Sequence, residues 1–254
     1  MENHEIKKTL FKKGYVNIGS VFNENEALNY ANKLENYISN KSSNDVHSDV
    51  TITENQLTVY SSNINPNFKE YSNWPANKKL NSIIRDVFGD KYSLSNWNAS
   101  GSPSGCGGNR RVHIDSRIPI VNPEHTTHVI AMIALTPFEH NNGSTLIYEK
   151  SHLSGLDPRH LENKYIRENF NEKKAIMAPG EVTLFLGQTL HDIGLNESNK
   201  TRWGIIGYYT LWWVKPTYDF TVISPVGLSD EELMIYGFRS IPPHPFNFNK
   251  YTNI

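Results

Sequence analysis

A single cysteine, Cys106, in 254 residues excludes an internal disulfide framework and gives no support for secretion. Neither sign of charge is in excess. The 25 lysines and arginines against 26 aspartates and glutamates leave −1, too little to draw in nucleic acid or an anionic membrane surface. No apolar run approaches the roughly 20 residues that a membrane span requires. Residues 1–13 are charged and lack the apolar stretch of an export signal, so the expectation is a soluble cytoplasmic protein with neither membrane nor nucleic-acid partners. Without such a signal, triplets such as Asn98-Ala99-Ser100 and Asn142-Gly143-Ser144 carry no meaning as glycosylation sites. The glycines of 101–108 lack phosphate-loop spacing, and no Gly-x-Ser-x-Gly elbow occurs, which excludes a nucleotide loop and a serine nucleophile there. Cys106, isolated in that loose stretch, reads as an ordinary cysteine. No internal repeat or linker divides the chain, and one domain spanning 1–254 is expected.

What is present is a small set of metal-ligating side chains on strand-like segments. If Val112-His113-Ile114-Asp115 is extended, its period of two turns His113 and Asp115 to one face. His191 lies in a second apolar segment, 185–192. Two imidazoles and a carboxylate leave three positions of an octahedral ion open, which suits ferrous iron binding a cosubstrate and dioxygen together. Eleven residues after His191 stands Arg202, and Gly194 to Lys200 between them is a run of turn formers. A hairpin centred between Asn196 and Glu197 sets 191 opposite 202, so the guanidinium is expected beside the third ligand. Its planar fork suits a carboxylate.

The remaining elements follow from periodicity. A short strand is expected over 14–18, then a helix opened by Asn23 and Glu26 and continued by Leu28, Ala31, Leu34 and Ile38. Residues 39–56 read as a surface loop in which His47 is solvated. Leu80, Ile83, Ile84 and Val87 predict a second helix ending near Gly89, and 92–99 a strand. Val129 to Leu135 is a buried strand, with His125 and His128 structural. The segment 139–143 signals a hairpin returning through 144–149, where His152 closes the turn. Residues 153–172 are expected to cover one end of a barrel, and 181–186 and 188–192 to be core strands. The aromatic run 203–213 is a strand that reads first as core, with alternate residues lining a cavity wall as the second reading. A short helix over 229–236 follows, in a tail that wraps the outside or joins a dimer. Residues 118–126, with Pro119 and Pro123, form a candidate lid after the ligand pair. Arg111 reads as a solvated rim residue.

The ordered set His113-x-Asp115, distant His191 and Arg202 resembles the phytanoyl-CoA dioxygenase family of iron(II)/2-oxoglutarate oxygenases. Asn142-Gly143-Ser144-Thr145, Lys150-Ser151-His152 and Pro179-Gly180-Glu181 are similar to that family's turns, and the likeness runs over roughly 12–240. The resemblance implies a mainly β fold, a double-stranded β-helix or jelly roll with helices packed on one sheet. It implies Fe(II) held by His113, Asp115 and His191, with 2-oxoglutarate paired to Arg202 and O2 as co-reactant. The activity implied is oxidation, by hydroxylation, of a C–H bond of a small molecule, with succinate and CO2 released and a specialised biosynthetic pathway as the setting. Related halogenases have Gly or Ala in place of the acid, so Asp115 argues against halogenation. Arg110 departs from the family's Gln near the keto acid; it pairs with the metal-bound end of 2-oxoglutarate or points away, and both readings stand. Met132 takes a place where the family has tryptophan or a polar residue. Asn98 and Arg117 are the candidate substrate contacts. The rival readings are a zinc hydrolase using the same three ligands and a metal-binding jelly roll without chemistry. A monomer or a homodimer is expected.

Overall fold

The structure, a computed structural model, describes residues 2–41, 49–53, 56–108, 111–116, 122 and 124–239. It opens with a helix that periodicity had not flagged, α1 (Asn3–Lys13), because only Ile6 and Leu10, four apart, mark a buried face among charges. Lys12 and Lys13 sit where the helix dipole favours cations, and Gly14 (φ +89°) ends the helix by donating its N–H to Leu10 O at 2.8 Å. β1 (Tyr15–Ser20) leads to α2 (Glu24–Ser39), whose cap Asn23 accepts from the N–H groups of Asn25 and Glu26.

The expected loop at 39–56 is corrected near its end, where β2 (Val50–Thr53) pairs antiparallel with β3 (Gln56–Val59), which begins as that stretch closes. Val50 and Val59 face each other and are buried, enough to fix an edge hairpin although polar neighbours hide its alternation. His47 lies outside the described residues. α3 (Lys78–Phe88) and β4 (Tyr92–Ser102) follow, the strand running into the glycines expected to be loose. Then come β5 (His128–Ala134), β6 (Thr145–Glu149), α4 (Asn163–Asn169), β7 (Asn171–Lys174), β8 (Glu181–Leu186), β9 (His191–Ile193) and β10 (Arg202–Leu211). The last helix, α5 (Asp230–Ile235), carries a full capping box between Ser229 and Glu232.

Seven strands pair in the order β1-β8-β5-β10-β4-β3-β2, and three in the order β7-β6-β9; every pairing is antiparallel. The outer face of the large sheet meets α1, α2, α3 and α5 in one core that includes Tyr30, Leu34, Ile84, Trp97 and Ile205. A second cluster joins Ile130, Met132 and Phe185 of the large sheet to Ile147 of the small one, so it fills the space between the sheets. This is a double-stranded β-helix, a jelly roll with helices on one face.

Two expected hairpins are corrected by this topology. β9 and β10 belong to different sheets: Arg202 pairs with Ser102 of β4, whereas His191 pairs with Ile147 of β6, so 191 and 202 are not opposed. Likewise, β5 and β6 do not pair; the 139–143 turn carries the chain from the large sheet to the small one. Turn formers mark the reversal but not which sheet receives the next strand.

Gly14 ties the first helix to the site described below, since its carbonyl accepts from Leu186 N (3.0 Å) and Thr189 Oγ1 (2.9 Å). A Cβ here would lie 2.6 Å from His152 Nδ1, on a backbone that L side chains avoid. Gly14→Ala is expected to lower stability by about 1–3 kcal/mol, from left-handed strain and displacement of buried His152. Urea unfolding checks this; an unchanged midpoint refutes it.

Candidate metal centre

Residues 112–115, expected to be extended, do not form a regular strand; His113 makes an isolated bridge to His191. That bridge is reciprocal, each N–H donating to the other's carbonyl at 3.0 Å, and directly opposed residues project to one side. The two rings therefore lie 4.1 Å apart between centroids. Two amides, Asp115 N (2.8 Å) and Ser116 N (2.7 Å), converge on Gly187 O and turn Asp115 inward. A side chain at 187 would strike His128 Cβ at 2.6 Å, so glycine allows this approach.

The three side chains converge. Asp115 Oδ1 is 3.8 Å from His113 Nε2, and Oδ2 is 3.5 Å from His191 Nε2. One donor atom from each lies within 4.8 Å of the others. His191 Nδ1 lies 3.0 Å from Thr189 O and His113 Nδ1 lies 3.3 Å from Arg111 O. A carbonyl only accepts, so each Nδ1 carries the proton and each Nε2 lone pair is left toward Asp115. Asp115 Oδ1 accepts from Tyr208 Oη at 2.8 Å, while the buried Oδ2 has no hydrogen-bond partner. An orphaned carboxylate oxygen beside two aimed imidazole lone pairs fits a divalent cation. Tyr208 was not singled out in the sequence. Its parity with Arg202 along β10 is the signal that reveals it, since both fall on the strand's inner face.

Burial sets the electrostatics. His191 has its pKa lowered to about 4, chiefly by desolvation and further by the neighbouring His113, with Asp115 opposing the shift. Tyr208 is pushed well above the usual phenol range by burial, then by the Asp115 charge and the hydrogen bond to it. A histidine with a depressed folded pKa favours the fold while neutral, and the unfolded chain takes up the proton first as pH falls. The metal-free protein is therefore expected to lose stability from about pH 6.5 down to about pH 4, by about 3 kcal/mol from this group. Burial also lowers the pKa of His152, which adds in the same direction. Urea midpoints measured between pH 7.5 and 4.5 check this, and a flat profile refutes it.

Arg202 is buried (4% exposed), donates to Gly143 O at 2.9 Å and lays its guanidinium 4.3 Å from the centre of the Phe138 ring. It shares the inner face of β10 with Tyr208, six residues or about 20 Å of strand away. The two long side chains point into the same intersheet space from its two ends. Between them lie Ile206 and Met132, the latter accepting from Thr145 Oγ1 at 3.0 Å. Asn98, directly across from Ile206, faces the same space. Arg110 and Arg117, and most of the 118–126 segment, lie outside the described residues.

The covering segment 153–172 grips the ligand loop. Asn163 Oδ1 accepts from Val112 N (3.0 Å), and Arg111, expected to be merely solvated, donates to Pro158 O (3.3 Å) and to Arg159 O. Arg167 reaches Asp192, a fully buried carboxylate whose pKa burial raises and Arg167 pulls back. His125 and His128 contribute nothing to the triad; His128 Nδ1 sits 2.8 Å from Thr127 Oγ1. His152 Nε2 binds Phe11 O at 2.8 Å, anchoring α1. A groove of about 830 Å3 beside Phe22, Trp74 and Lys79 shares no residue with the triad. Among the described residues, no helix is long and apolar enough to cross a membrane.

A sequence model of phytanoyl-CoA dioxygenase (PhyH) matches residues 11–204, about three quarters of the chain. The chain belongs to the phytanoyl-CoA dioxygenase family. None of the curated proteins matches it by sequence. Among solved structures, AviO1 from Streptomyces viridochromogenes Tue57 superposes with a TM-score of 0.66 at 16% identity, over 85% of this chain and 97% of that one. The non-heme alpha-ketoglutarate-dependent epimerase SnoN from nogalamycin biosynthesis superposes with 0.66 at 15%, over 90% and 92%. Its complex with Fe3+, alpha-ketoglutarate and nogalamycin RO gives 0.62 at 14%, again over 90% and 92%. At such identities these likenesses speak for the fold. Within the phytanoyl-CoA dioxygenase family, this chain has Met132 on its inner wall and Tyr208 on its carboxylate.

Proposed function

We propose that the protein is an iron(II)- and 2-oxoglutarate-dependent oxygenase that hydroxylates a C–H bond of a small molecule, in the balance R–H + 2-oxoglutarate + O2 → R–OH + succinate + CO2. The observation that carries this reading is the triad: His113, Asp115 and His191 present one donor atom each within 4.8 Å. Family membership and the binding of iron and alpha-ketoglutarate by the like-folded SnoN support it.

His113 Nε2, Asp115 and His191 Nε2 would hold the iron, and Arg202 would pair with the far carboxylate of 2-oxoglutarate. Bound together, iron and keto acid supply the oxidising power that places oxygen on a substrate carbon. The protein's part is position and dryness. The carbonyls of Thr189 and Arg111 fix the imidazole tautomers, and Tyr208 Oη holds Asp115 Oδ1 so that the carboxylate cannot rotate away. The buried Met132, Ile147 and Phe185 keep water from the part of the space that leads to Arg202.

Anaerobic addition of Fe(II) and 2-oxoglutarate tests the reading: a visible charge-transfer band from keto acid on iron is expected. Binding of Zn(II) with hydrolytic activity and no such band would overturn it. For the outcome, 18O2 label is expected in the product; a stereoisomer of the substrate without label points instead to epimerisation, as in the epimerase SnoN.

A further inference from the structure

Along part of β10 and β4 the inner face is more accessible than the outer one, unlike the inner face of β5, where Ile130, Met132 and Ala134 are buried. On β10, outward Ile205 and Tyr209 are buried while inward Ile206 and Tyr208 are partly accessible; on β4, outward Trp97 and Ala99 are buried while inward Asn98 and Ser100 are partly accessible. Solvent therefore reaches the intersheet space at the level of the triad.

The wall of that opening contributed by β3 and β4 is polar and, among the described residues, uncharged. Asn96 lies directly across from Tyr208, and Asn98 from Ile206. Asn98 Oδ1 accepts from Ser61 N at 3.0 Å, and its side chain also hydrogen-bonds Tyr218. Tyr218 stands 6.5 Å from Tyr60 with the rings inclined at 62°, and its phenol is near enough to Tyr208 to interact with it electrostatically. Behind them, Asn96 is 8% exposed and its Oδ1 has no hydrogen-bond partner. Burying an amide carbonyl unsatisfied costs about 1–3 kcal/mol, so its presence beside the triad is explained by a donor arriving from outside the chain. The amides and phenols give several donors and acceptors, and the two tyrosine rings an apolar corner between them.

We propose that Asn96, Asn98, Tyr60 and Tyr218 form the substrate-orienting subsite, and that it takes a neutral, multiply hydroxylated small molecule, a sugar-like ring, with the C–H to be oxidised turned toward His113 and Asp115. This rests on the oxygenase reading for the role of the triad. A fatty acyl thioester of coenzyme A, with its phosphates, finds no cation on this wall among the described residues. A hydrogen-bonding site rejects molecules that leave its polar groups unpaired by factors far larger than an apolar pocket achieves.

The test uses the full chain loaded anaerobically with Fe(II) and 2-oxoglutarate. Methyl glycosides, palmitoyl-CoA and free amino acids are added in turn, and the shift of the charge-transfer band on ligand entry is followed. Glycosides alone are expected to shift it. A shift by palmitoyl-CoA or an amino acid with none by any glycoside overturns the proposal, as does silence from the whole set. Failure of the band to form at all would instead overturn the oxygenase reading, so the two failures are distinguishable. Two variants sharpen the result. Tyr218→Phe removes one hydroxyl and is expected to weaken the glycoside response about 10-fold with the starting band unchanged. Asn96→Leu, which deletes an orphaned carbonyl, is expected to weaken it as much while leaving the unfolding midpoint equal or higher. Full affinity in both variants, or loss of the starting band, would refute the assignment of these side chains.

Discussion

His191→Ala is expected to abolish iron retention, with Fe(II) affinity falling by more than about 100-fold. That floor comes from outer-shell partners of metal ligands, whose loss alone costs 10- to 100-fold; removal of a ligand costs more. Burial makes the residue less replaceable: His191 is 6% exposed and its ring lies tilted against that of Phe185, 4.9 Å between centroids, so neither water nor another side chain reaches its place easily. The variant should still fold, because the reciprocal bond with His113 is a backbone interaction and alanine keeps it. Anaerobic dialysis against Fe(II) followed by metal analysis reads the result. Stoichiometric iron in a folded His191→Ala protein would remove His191 from the ligand set.

Arg202→Ala should separate the cosubstrate from the metal. The guanidinium is buried among Phe138, Gly143 and the inner face of β10, far along the strand from Tyr208 and Asp115. Removing one partner of a buried charge pair costs about 2–5 kcal/mol, so 2-oxoglutarate affinity is expected to fall by roughly 30-fold to a few thousand-fold. Iron affinity should be unaltered. Titration of the charge-transfer band with 2-oxoglutarate, alongside a separate iron titration, measures both. If the keto acid bound as tightly as before, the anchor for its far carboxylate would have to be sought elsewhere. The pair of variants forms a contrast: one loses metal and keto acid together, the other only the keto acid.

Much of this site was legible because metal binding needs rare residue types in a fixed order. His113, Asp115, His191 and Arg202 are conspicuous in any conformation, and the structure brings the first three together. Their exact arrangement was not legible. The sequence pointed to a strand through 112–115 and to a hairpin opposing 191 and 202. Instead, a two-bond bridge joins 113 to 191, and the chain crosses from the small sheet to the large one before Arg202. A jelly roll alternates sheets, and the same turn residues serve a hairpin and a crossing alike. β2 and β3 were missed because four-residue edge strands carry too little alternation, and α1 because Ile6 and Leu10 were outnumbered by charge. Asn23 and the stop at Gly89 were read correctly, since caps act through local chemistry that needs no tertiary partner. Tyr208 emerged only when the register was known.

The ligands are unequal in their surroundings: the side chains of Asp115 and His191 are each 7% exposed, whereas that of His113 is 51% exposed. Two corners of the triangle are thus set in the masonry of the barrel and the third is its doorpost. Newcomers pass His113 first, and changes in the neighbouring loops can reshape the threshold without disturbing the two members behind it.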